Sequence, residues 1–139
     1  MGARFSRRRK MRVFIADDSR VVVERLADLL KEVPGVQLVG RANDVPEAIH
    51  SIVKTNPDAV ILDLQMPGGS GLDVLRSIRR SHPSVWVVIC TNYPYPQYRE
   101  ECIAAGANYF LDKSAEFEKI PEILRDLTKK APNVAPAAR

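Results

Sequence analysis

The sequence predicts an α/β fold in which one parallel, five-stranded sheet carries helices on both faces. Five short apolar segments alternate along the chain with five segments whose apolar residues recur at helical spacing. One apolar segment, residues 59–62, is an unbroken run of Ala, Val, Ile and Leu, which is typical of a strand buried on both faces. Strict alternation of strand and helix favours parallel strands joined by right-handed crossovers.

Turn and capping residues bound each predicted element. The predicted strands are residues 11–16, 36–42, 59–62, 85–90 and 108–111. The predicted helices begin after Ser19, at Asp44, at Leu72, near Pro96 and near Glu118. Ser19 can cap the first helix, and Glu47 follows Asp44 at the spacing of a capping box. Gly106 ends the fourth helix near Ala105. Pro121 is tolerated because it falls in the first turns of the last helix.

Length and composition indicate an ordinary globular domain. The 139 residues are 45% hydrophobic and 27% charged, which is enough for one domain with a real core. No apolar run approaches the roughly 20 residues of a membrane span, and no apolar segment follows the basic N-terminus as it would in a secretory signal. Cys90 and Cys102 have no CxxC spacing, so we expect reduced, core-packed thiols in a cytoplasmic protein.

The positive charge is concentrated in the N-terminal segment. The net charge is +4, but the first twelve residues hold six basic residues and no acid, which leaves 15 basic and 17 acidic residues in the remainder. We therefore predict a basic tail at 1–10, a domain at 11–130 and a Pro/Ala-rich tail at 131–139. The basic tail has two interpretations: a solvated extension upstream of a start at Met11, or an arm that contacts nucleic acid or anionic lipid.

Charged and polar residues follow four of the predicted strands. The residues in question are Asp17, Asp18, Asp63, Thr91 and Lys113. The carboxyl ends of parallel strands lie on one edge of the sheet, where ligands bind, so we expect these side chains to meet. Three adjacent carboxylates repel one another unless a cation joins them, and oxygen-only ligands favour Mg²⁺.

The predicted cluster suits chemistry at phosphorus. A carboxylate beside Mg²⁺ and a lysine can attack a phosphoryl group to give an acyl phosphate. Mg²⁺, Lys113 and the Thr91 hydroxyl can each neutralise part of the charge on the transferring group. Each residue also has a purely structural interpretation, such as helix capping by Asp18 and a surface charge at Lys113. The occurrence of all these residues together at strand ends favours the functional interpretation.

Together, Asp17–Asp18, Asp63 within D-L-Q-M-P-G-G-S-G, Thr91, Tyr109 and Lys113 resemble the response-regulator receiver domain of two-component signalling. The resemblance covers about residues 11–130. It implies a flavodoxin-like (βα)5 fold with strand order 2-1-3-4-5. It also implies transfer of a phosphoryl group to Asp63 from the phosphohistidine of a histidine kinase or phosphotransfer protein. The chain would not be an enzyme beyond its own phosphorylation and dephosphorylation.

The resemblance also assigns roles to individual residues. Asp18, Asp63 and the main-chain carbonyl of Gln65 would ligate Mg²⁺, with Asp17 acting mainly through water. Lys113 would pair with Asp63 and then with the phosphoryl group. Thr91 and Tyr109 would form the switch, and the fourth helix, fifth strand and fifth helix would be the surface that signals to an unknown partner protein or forms a homodimer.

Several positions depart from the family pattern. Asn92 stands where Ala or Gly is usual, and Gln65 and Tyr93 flank the phosphoryl position, so we expect these three residues to lengthen the phosphorylated lifetime or to slow phosphorylation by small donors. In the family, a proline often follows the lysine, and the peptide bond between the two is cis. Here Ser114 stands at the position of that proline. The aromatic loop 93–98 is interpreted either as a stiff turn or as a partner-binding patch.

Three functional hypotheses follow. The first is a stand-alone receiver that acts by protein contact or relays phosphate, and the second is the receiver part of a DNA-binding transcriptional regulator. The style of V-Q-L-V-G-R-A-N-D-V-P-E-A-I and of the segment after it resembles receivers that carry a helix-turn-helix. No contact with nucleic acid is expected in this chain except through the basic tail. The third hypothesis is a phosphatase with an aspartate nucleophile, but that family needs a second Asp at the position of Gln65.

Overall fold

The computed structural model describes residues 10–130, which form a five-stranded parallel sheet. The strands are β1 (Met11–Ala16), β2 (Val36–Ala42), β3 (Ala59–Leu62), β4 (Trp86–Thr91) and β5 (Tyr109–Asp112). The helices are α1 (Arg20–Lys31), α2 (Val45–Thr55), α3 (Gly71–Ser81), α4 (Pro96–Ala104) and α5 (Lys119–Thr128). The strand order is β2-β1-β3-β4-β5, and every neighbouring pair is parallel. The predicted fold and strand order are confirmed.

The sheet separates two apolar cores. Alternate residues of each strand point to opposite faces. One core packs the sheet against α2, α3 and the buried Cys102 of α4. The other packs it against α1 and α5. Residues 59–62 of β3 are all buried, as a central parallel strand requires.

The predicted starts of α1 and α2 are confirmed by capping hydrogen bonds. The Ser19 hydroxyl accepts from the backbone N–H of Val22 at 3.3 Å. The Asp44 carboxylate accepts from the N–H of Glu47 at 2.8 Å, and the Glu47 side chain accepts from the N–H of Asn43 at 3.2 Å. These bonds satisfy amides that have no partner within a helix.

The structure differs from the prediction in the bounds of two strands and in two short elements that were not predicted. Strands β4 and β5 each lie one residue later than expected. A two-residue antiparallel pair, Gln65–Met66 with Gly69–Ser70, closes the loop after β3. A single helical turn, Lys113–Glu116, precedes α5. The predicted tails at 1–10 and 131–139 lie outside the described residues, apart from Lys10.

The two cysteines are core residues, as predicted. Both are free and buried. Burial raises the pKa of Cys90 to about 12 and that of Cys102 to about 11. Cys102 is the only buried residue of α4, so this helix is the least anchored of the five.

Among the helices of residues 10–130, none has the length and apolar character needed to cross a bilayer.

Candidate functional site

Three carboxylates meet at the carboxyl edge of the sheet. Asp17 and Asp18 follow β1, and Asp63 follows β3, which pairs directly with β1. Oxygen atoms of the three side chains lie within 4.8 Å of one another. Asp17 and Asp63 are buried, whereas Asp18 is exposed to solvent. The sequence therefore predicted correctly that these residues come together, and Asp18 is the one open to an incoming ligand.

Lys113 reaches both buried carboxylates. Its Nζ donates to Asp17 Oδ2 at 2.8 Å and to Asp63 Oδ2 at 3.2 Å. The predicted pair with Asp63 is present, but the shorter contact is with Asp17. The other Asp17 oxygen, Oδ1, accepts from the N–H of Ser19 at 2.8 Å. Asp17 is therefore held by two donors at the base of the cluster.

The electrostatics of this cluster are dominated by burial and by excess negative charge. Burial raises the pKa of the Asp63 carboxyl; the Lys113 charge lowers it in part, and the Asp17 charge raises it again. Burial alone would lower the pKa of the Lys113 ammonium, but hydrogen bonds and charges from Asp17 and Asp63 outweigh burial and raise it. One ammonium thus serves two buried carboxylates, with a third beside them.

Hydrogen bonds and the close packing of its backbone hold the loop after Asp63 in place. The N–H of Gln65 donates to Asp63 Oδ1 at 3.2 Å, which orients the carboxylate. Ser70 caps α3 by accepting from the N–H of Leu72 at 3.0 Å, and Asp73 accepts from the N–H of Ser70 at 3.1 Å. A Cβ at Gly71 would collide with the Asp63 carbonyl oxygen. Only glycine fits here, so the loop is held tightly against the end of β3.

The start of α2 supports the same loop from behind. The N–H of Val45 donates to the Pro67 carbonyl at 3.0 Å. Gly68 has a φ of +86°, and a Cβ there would lie 2.8 Å from Pro46 Cδ. The left-handed backbone and the close approach both require glycine. This support was not predicted, because it depends on a contact between distant segments.

Thr91 ends β4 in a fully buried position. Its Oγ1 accepts from the N–H of Tyr93 at 3.0 Å, so the hydroxyl proton is available for another acceptor. Asn92 and Tyr93, the next two residues, are exposed, and so is Gln65 in the loop after β3. The rings of Tyr93 and Tyr95 lie 6.4 Å apart, and those of Tyr95 and Tyr98 lie 5.7 Å apart. The aromatic loop is therefore a surface cluster.

The donor set of the cluster fits a hard divalent cation. Three carboxylates and one lysine leave two unbalanced negative charges, and His and Cys do not belong to the cluster. Oxygen ligands around an excess negative charge suit Mg²⁺. Asp17, Asp18 and Asp63 are the residues of this cluster that could hold the ion.

A comparison with known protein families identifies this arrangement. Residues 13–125 match the response regulator receiver domain family. The chain belongs to this family. The receiver domain is 34% identical over 119 residues to the uncharacterized transcriptional regulatory protein YvfU of Bacillus subtilis, covering 86% of this chain and 60% of that protein. It is 30% identical to the DNA-binding transcriptional activator DevR/DosR of Mycobacterium tuberculosis, covering 84% and 54%. The chain thus spans little more than half the length of these relatives.

Solved receiver structures share the fold. The isolated receiver domain of RcsB from Salmonella enterica serovar Typhimurium, solved with the phosphomimetic BeF₃⁻, superposes with a TM-score of 0.81 at 26% identity, covering 88% of this chain and 91% of that one. A DNA-binding response regulator of the LuxR family from Staphylococcus aureus gives 0.78 at 27% identity, covering 86% and 99%.

Tyr109 does not share a face of the sheet with Thr91 in this receiver domain. Tyr109 packs with the core on the α1 and α5 side. Thr91 has the same parity along β4 as Val87 and Ile89, which belong to the opposite core. Phe110 lies in that opposite core, so the structure brings Phe110, rather than Tyr109, to the Thr91 face. Tyr109 and Phe110 lie on opposite faces because side chains alternate along a strand, and the switch role of Tyr109 stays a prediction.

The peptide bond after Lys113 is trans, since cis bonds are absent from the described residues. Asp112 shapes this segment instead. Its Oδ1 accepts from the N–H of Ser114 at 3.0 Å and from the Ser114 hydroxyl at 2.8 Å. Both hydrogen bonds lower the pKa of the Asp112 carboxyl, and the bond from the Ser114 hydroxyl has the larger effect. The bend after the lysine is therefore made by an aspartate cap on a helical turn.

Proposed function

We propose that Asp63 accepts a phosphoryl group from the phosphohistidine of a histidine kinase or phosphotransfer protein, in a Mg²⁺-dependent reaction. The observation that carries the proposal is the position of the Asp63 carboxylate. It is only 5% exposed, lies 3.2 Å from Lys113 Nζ, and shares its site with two further carboxylates. In the reaction the bond from phosphorus to the donor's histidine nitrogen breaks as a bond from Asp63 Oδ to phosphorus forms, and the nitrogen keeps the electron pair.

The residues around Asp63 divide the work of the transfer. Asp17, held by Ser19 and Lys113, supports the base of the site, and Asp18 presents an exposed ligand. Bound Mg²⁺ would supply charge neutralisation between the carboxylates and the phosphoryl oxygens. Lys113 Nζ contacts both carboxylates, and its contact with Asp63 is the longer of the two. Lys113 would therefore leave the Asp63 carboxylate readily and pair with the new charge on the phosphoryl group.

Thr91 would read the new charge. Its hydroxyl keeps a proton to donate once the phosphoryl group arrives, and inward movement of Thr91 would open space on the face that holds Phe110. We assign the aromatic role of the switch to Phe110. The output surface would be α4, β5 and α5. Arg99 already links two of these elements, since its Nη1 donates to the Phe110 carbonyl at 3.2 Å.

Phosphoryl transfer to Asp63 is tested with radiolabelled acetyl phosphate, or a labelled kinase, in the presence of Mg²⁺. The wild type should incorporate acid-stable, alkali-labile label in a 1:1 ratio, and EDTA should abolish it. Asp63→Asn should incorporate less than about 1% of that label, since an amide cannot attack phosphorus. Asp73→Asn is the control from the same loop region. Equal labelling of Asp63→Asn would refute the assignment.

A second candidate function is that of a receiver within a DNA-binding transcriptional regulator. The relatives YvfU and DevR/DosR are described as transcriptional regulators, and this chain covers 60% and 54% of their lengths. In such a protein the α4-β5-α5 surface would act on an attached output domain. Sequencing the natural reading frame beyond Arg139 distinguishes this function from that of a stand-alone receiver.

We propose that Asn92, with Gln65 and Tyr93, lengthens the phosphorylated lifetime. All three residues are exposed: Gln65 lies two residues after the buried Asp63, and Asn92 and Tyr93 follow Thr91 at the end of β4. From these positions their side chains would obstruct the path of an attacking water. Asn92→Ala should increase the rate of dephosphorylation several-fold, about 3- to 10-fold, corresponding to roughly 1 kcal/mol. The decay of labelled protein after removal of the donor measures the rate. An unchanged or slower decay would contradict the proposal.

A further inference from the structure

A groove opens at the edge of the sheet opposite the carboxylate cluster. It has a volume of about 950 Å³ and lies between the starts of β1 and β4 and the end of α5. Its lining includes the half-buried Trp86 and two exposed prolines, Pro34 and Pro83. A concave site of this volume can hold several side chains of a ligand. The receiver function described above uses none of these residues.

Positive charge predominates around the groove. Among the described residues that line it, four basic side chains of lysine and arginine stand against one carboxylate. Three of the four are exposed lysines, namely Lys10, Lys129 and Lys130. The carboxylate belongs to Asp58, whose Oδ2 accepts a hydrogen bond from the N–H of Arg12 at 2.8 Å. The groove therefore has complementary charge for an acidic ligand.

The exposed positive charge lies next to apolar surface. Lys130 Nζ is 5.8 Å from the centre of the Trp86 ring. The guanidinium of Arg12 is turned to the protein itself, since its Nη1 donates to the carbonyls of Thr55 at 2.6 Å and Asn56 at 2.7 Å. A ligand would therefore meet lysine ammonium groups beside an aromatic ring. This pairing suits a ligand in which carboxylates flank an apolar group.

We propose that the groove binds an acidic peptide segment of a partner protein, in which Asp and Glu residues flank an apolar side chain. The three lysines would pair with the carboxylates, and the apolar side chain would pack against Trp86 and the exposed prolines. Complementary charge would speed the encounter and select the partner. Burial of the apolar side chain would supply much of the affinity, because exposed ion pairs contribute little.

The ends of three helices favour a peptide over a nucleic acid. The C-caps of α2, α3 and α5 are Asn56, His82 and Lys129, and all three residues line the groove. The C-terminus of a helix carries a partial negative charge. A peptide brings main-chain N–H donors to such a charge, whereas a nucleic acid strand brings a negative charge with every nucleotide.

The aromatic content of the groove leads to the same choice. Sites for single-stranded nucleic acid use several aromatic rings, on which successive bases stack. Among the described residues that line the groove, Trp86 is the one Trp, Tyr or Phe side chain. One ring is enough to hold one apolar side chain of a peptide.

The groove is separate from the phosphorylation site. Trp86 begins β4 and Thr91 ends it, so the two sites lie about 16 Å apart along one strand. Binding in the groove therefore does not depend on the proposed function. Asp63→Asn should bind the acidic peptide as the wild type does, even if phosphorylation of Asp63 is disproved.

The test titrates the full chain into a fluorescein-labelled peptide of about ten residues, in which Asp and Glu flank a central Phe. Binding is expected in the micromolar range at about 50 mM NaCl and several-fold more weakly at about 300 mM, because salt screens exposed charges. Trp86 is the only tryptophan of the chain, so its emission reports directly on the groove. The unlabelled peptide should shift this emission to shorter wavelength, since the Phe ring would displace water from the indole.

Two matched peptides separate the contributions of charge and of apolar contact. A peptide with Asn and Gln in place of every Asp and Glu should bind at least tenfold more weakly. A peptide with Ser in place of Phe should bind about fivefold more weakly and leave the Trp86 emission unchanged. Labelled dT15 should bind more weakly than the acidic peptide.

Two triple variants of the protein make the test specific to the groove. The first replaces the three lysines of the groove with Gln and should weaken peptide binding at least tenfold. The matched control is Arg20→Gln, Arg41→Gln and Lys119→Gln, which removes equal charge from exposed positions nearer the carboxyl edge. It should change the affinity less than twofold.

Each contrary result overturns the proposal. Such results are absence of binding at about 100 μM protein, equal weakening by the two triple variants, and a rise in anisotropy without a shift of the Trp86 emission. Tighter binding of dT15 than of the peptide would assign the groove to nucleic acid instead. Tighter binding to vesicles of phosphatidylserine would assign it to a membrane surface.

Discussion

Lys113 is shared unequally between two buried carboxylates, Asp17 and Asp63. The 2.8 Å contact with Asp17 and the 3.2 Å contact with Asp63 leave Asp63 as the less compensated anion. Its pKa is raised by burial, partly lowered by Lys113 and raised again by Asp17. In the metal-free protein, the ionised Asp63 carboxylate therefore opposes folding.

Asp63→Asn should stabilise the metal-free protein by about 1 kcal/mol at pH 7. The folded pKa of Asp63 lies above its unfolded value of 3.8. As pH rises from 3.8 through the folded pKa, the unfolded state releases the proton first, so the stability of the wild type falls relative to that of Asp63→Asn. Urea unfolding in EDTA between pH 4 and 7 measures this difference. The exposed Asp126→Asn should show no such trend, and a destabilised Asp63→Asn would contradict the interpretation.

The site was predictable residue by residue to the extent that strand ends fix positions. Asp17, Asp18, Asp63 and Lys113 each follow a strand that the apolar pattern located to within one residue. The preference of Lys113 for Asp17 was not predictable, because distances of a few tenths of an ångström depend on packing. The aromatic partner of Thr91 depends on strand phase, and in the doublet Tyr109–Phe110 a shift of one residue exchanges the two faces of the sheet.

At the scale of elements, Arg79 ties three parts of the chain together. It lies in the last turn of α3, and its guanidinium donates to the carbonyls of Gly106 at 2.8 Å and Val85 at 2.7 Å. It also donates to Asn108 Oδ1 at 3.0 Å, which in turn accepts from the N–H of Val87 at 2.8 Å. One side chain thus joins α3 to the segments that lead into β4 and β5.

Arg79→Lys should destabilise the protein by about 2 kcal/mol, and Arg79→Ala by about 3 kcal/mol. Lysine cannot reproduce a planar donor that serves several carbonyls at once, and each carbonyl left without a partner adds a cost. Arg80 is the matched control, because it is exposed on the next position of the same helix. Arg80→Ala should change the free energy of unfolding by less than about 0.5 kcal/mol. Chemical unfolding measures these losses. Equal losses of unfolding free energy for Arg79→Ala and Arg80→Ala would show that Arg79 does not hold the three segments together.

The elements that the sequence did not predict are only two to four residues long. The pair Gln65–Met66 with Gly69–Ser70 is too short to have a periodicity, and α2 holds it through Val45 and Pro67. The helical turn after Lys113 depends on the Asp112 cap. By contrast, the five strands of the main sheet and the five helices lie where apolar segments bounded by turn or capping residues predicted them.

At the scale of the whole molecule, the charges are polarised along the strand direction. Each helix runs back against the strands, so the last turns of the helices lie near the starts of the strands. These last turns carry Lys31, Lys54, Arg79, Arg80 and Arg125, as expected from the helix dipole. The carboxylate cluster occupies the other edge. A cation is therefore attracted to one end of the domain and a polyanion to the other.

This polarity predicts that Mg²⁺ stabilises the folded domain through the acidic edge. At a free Mg²⁺ concentration ten times its dissociation constant, the gain is about 1.4 kcal/mol, or roughly 3–6 °C in Tm for a domain of this size. Asp18→Asn should reduce the shift to less than about 1 °C, because it removes the exposed ligand without disturbing the buried pair of Asp17 and Lys113. Thermal unfolding with MgCl₂ against NaCl of equal ionic strength measures the shift, with Asp126→Asn as the control that retains it. A full shift in Asp18→Asn would show that the ion binds elsewhere on the domain.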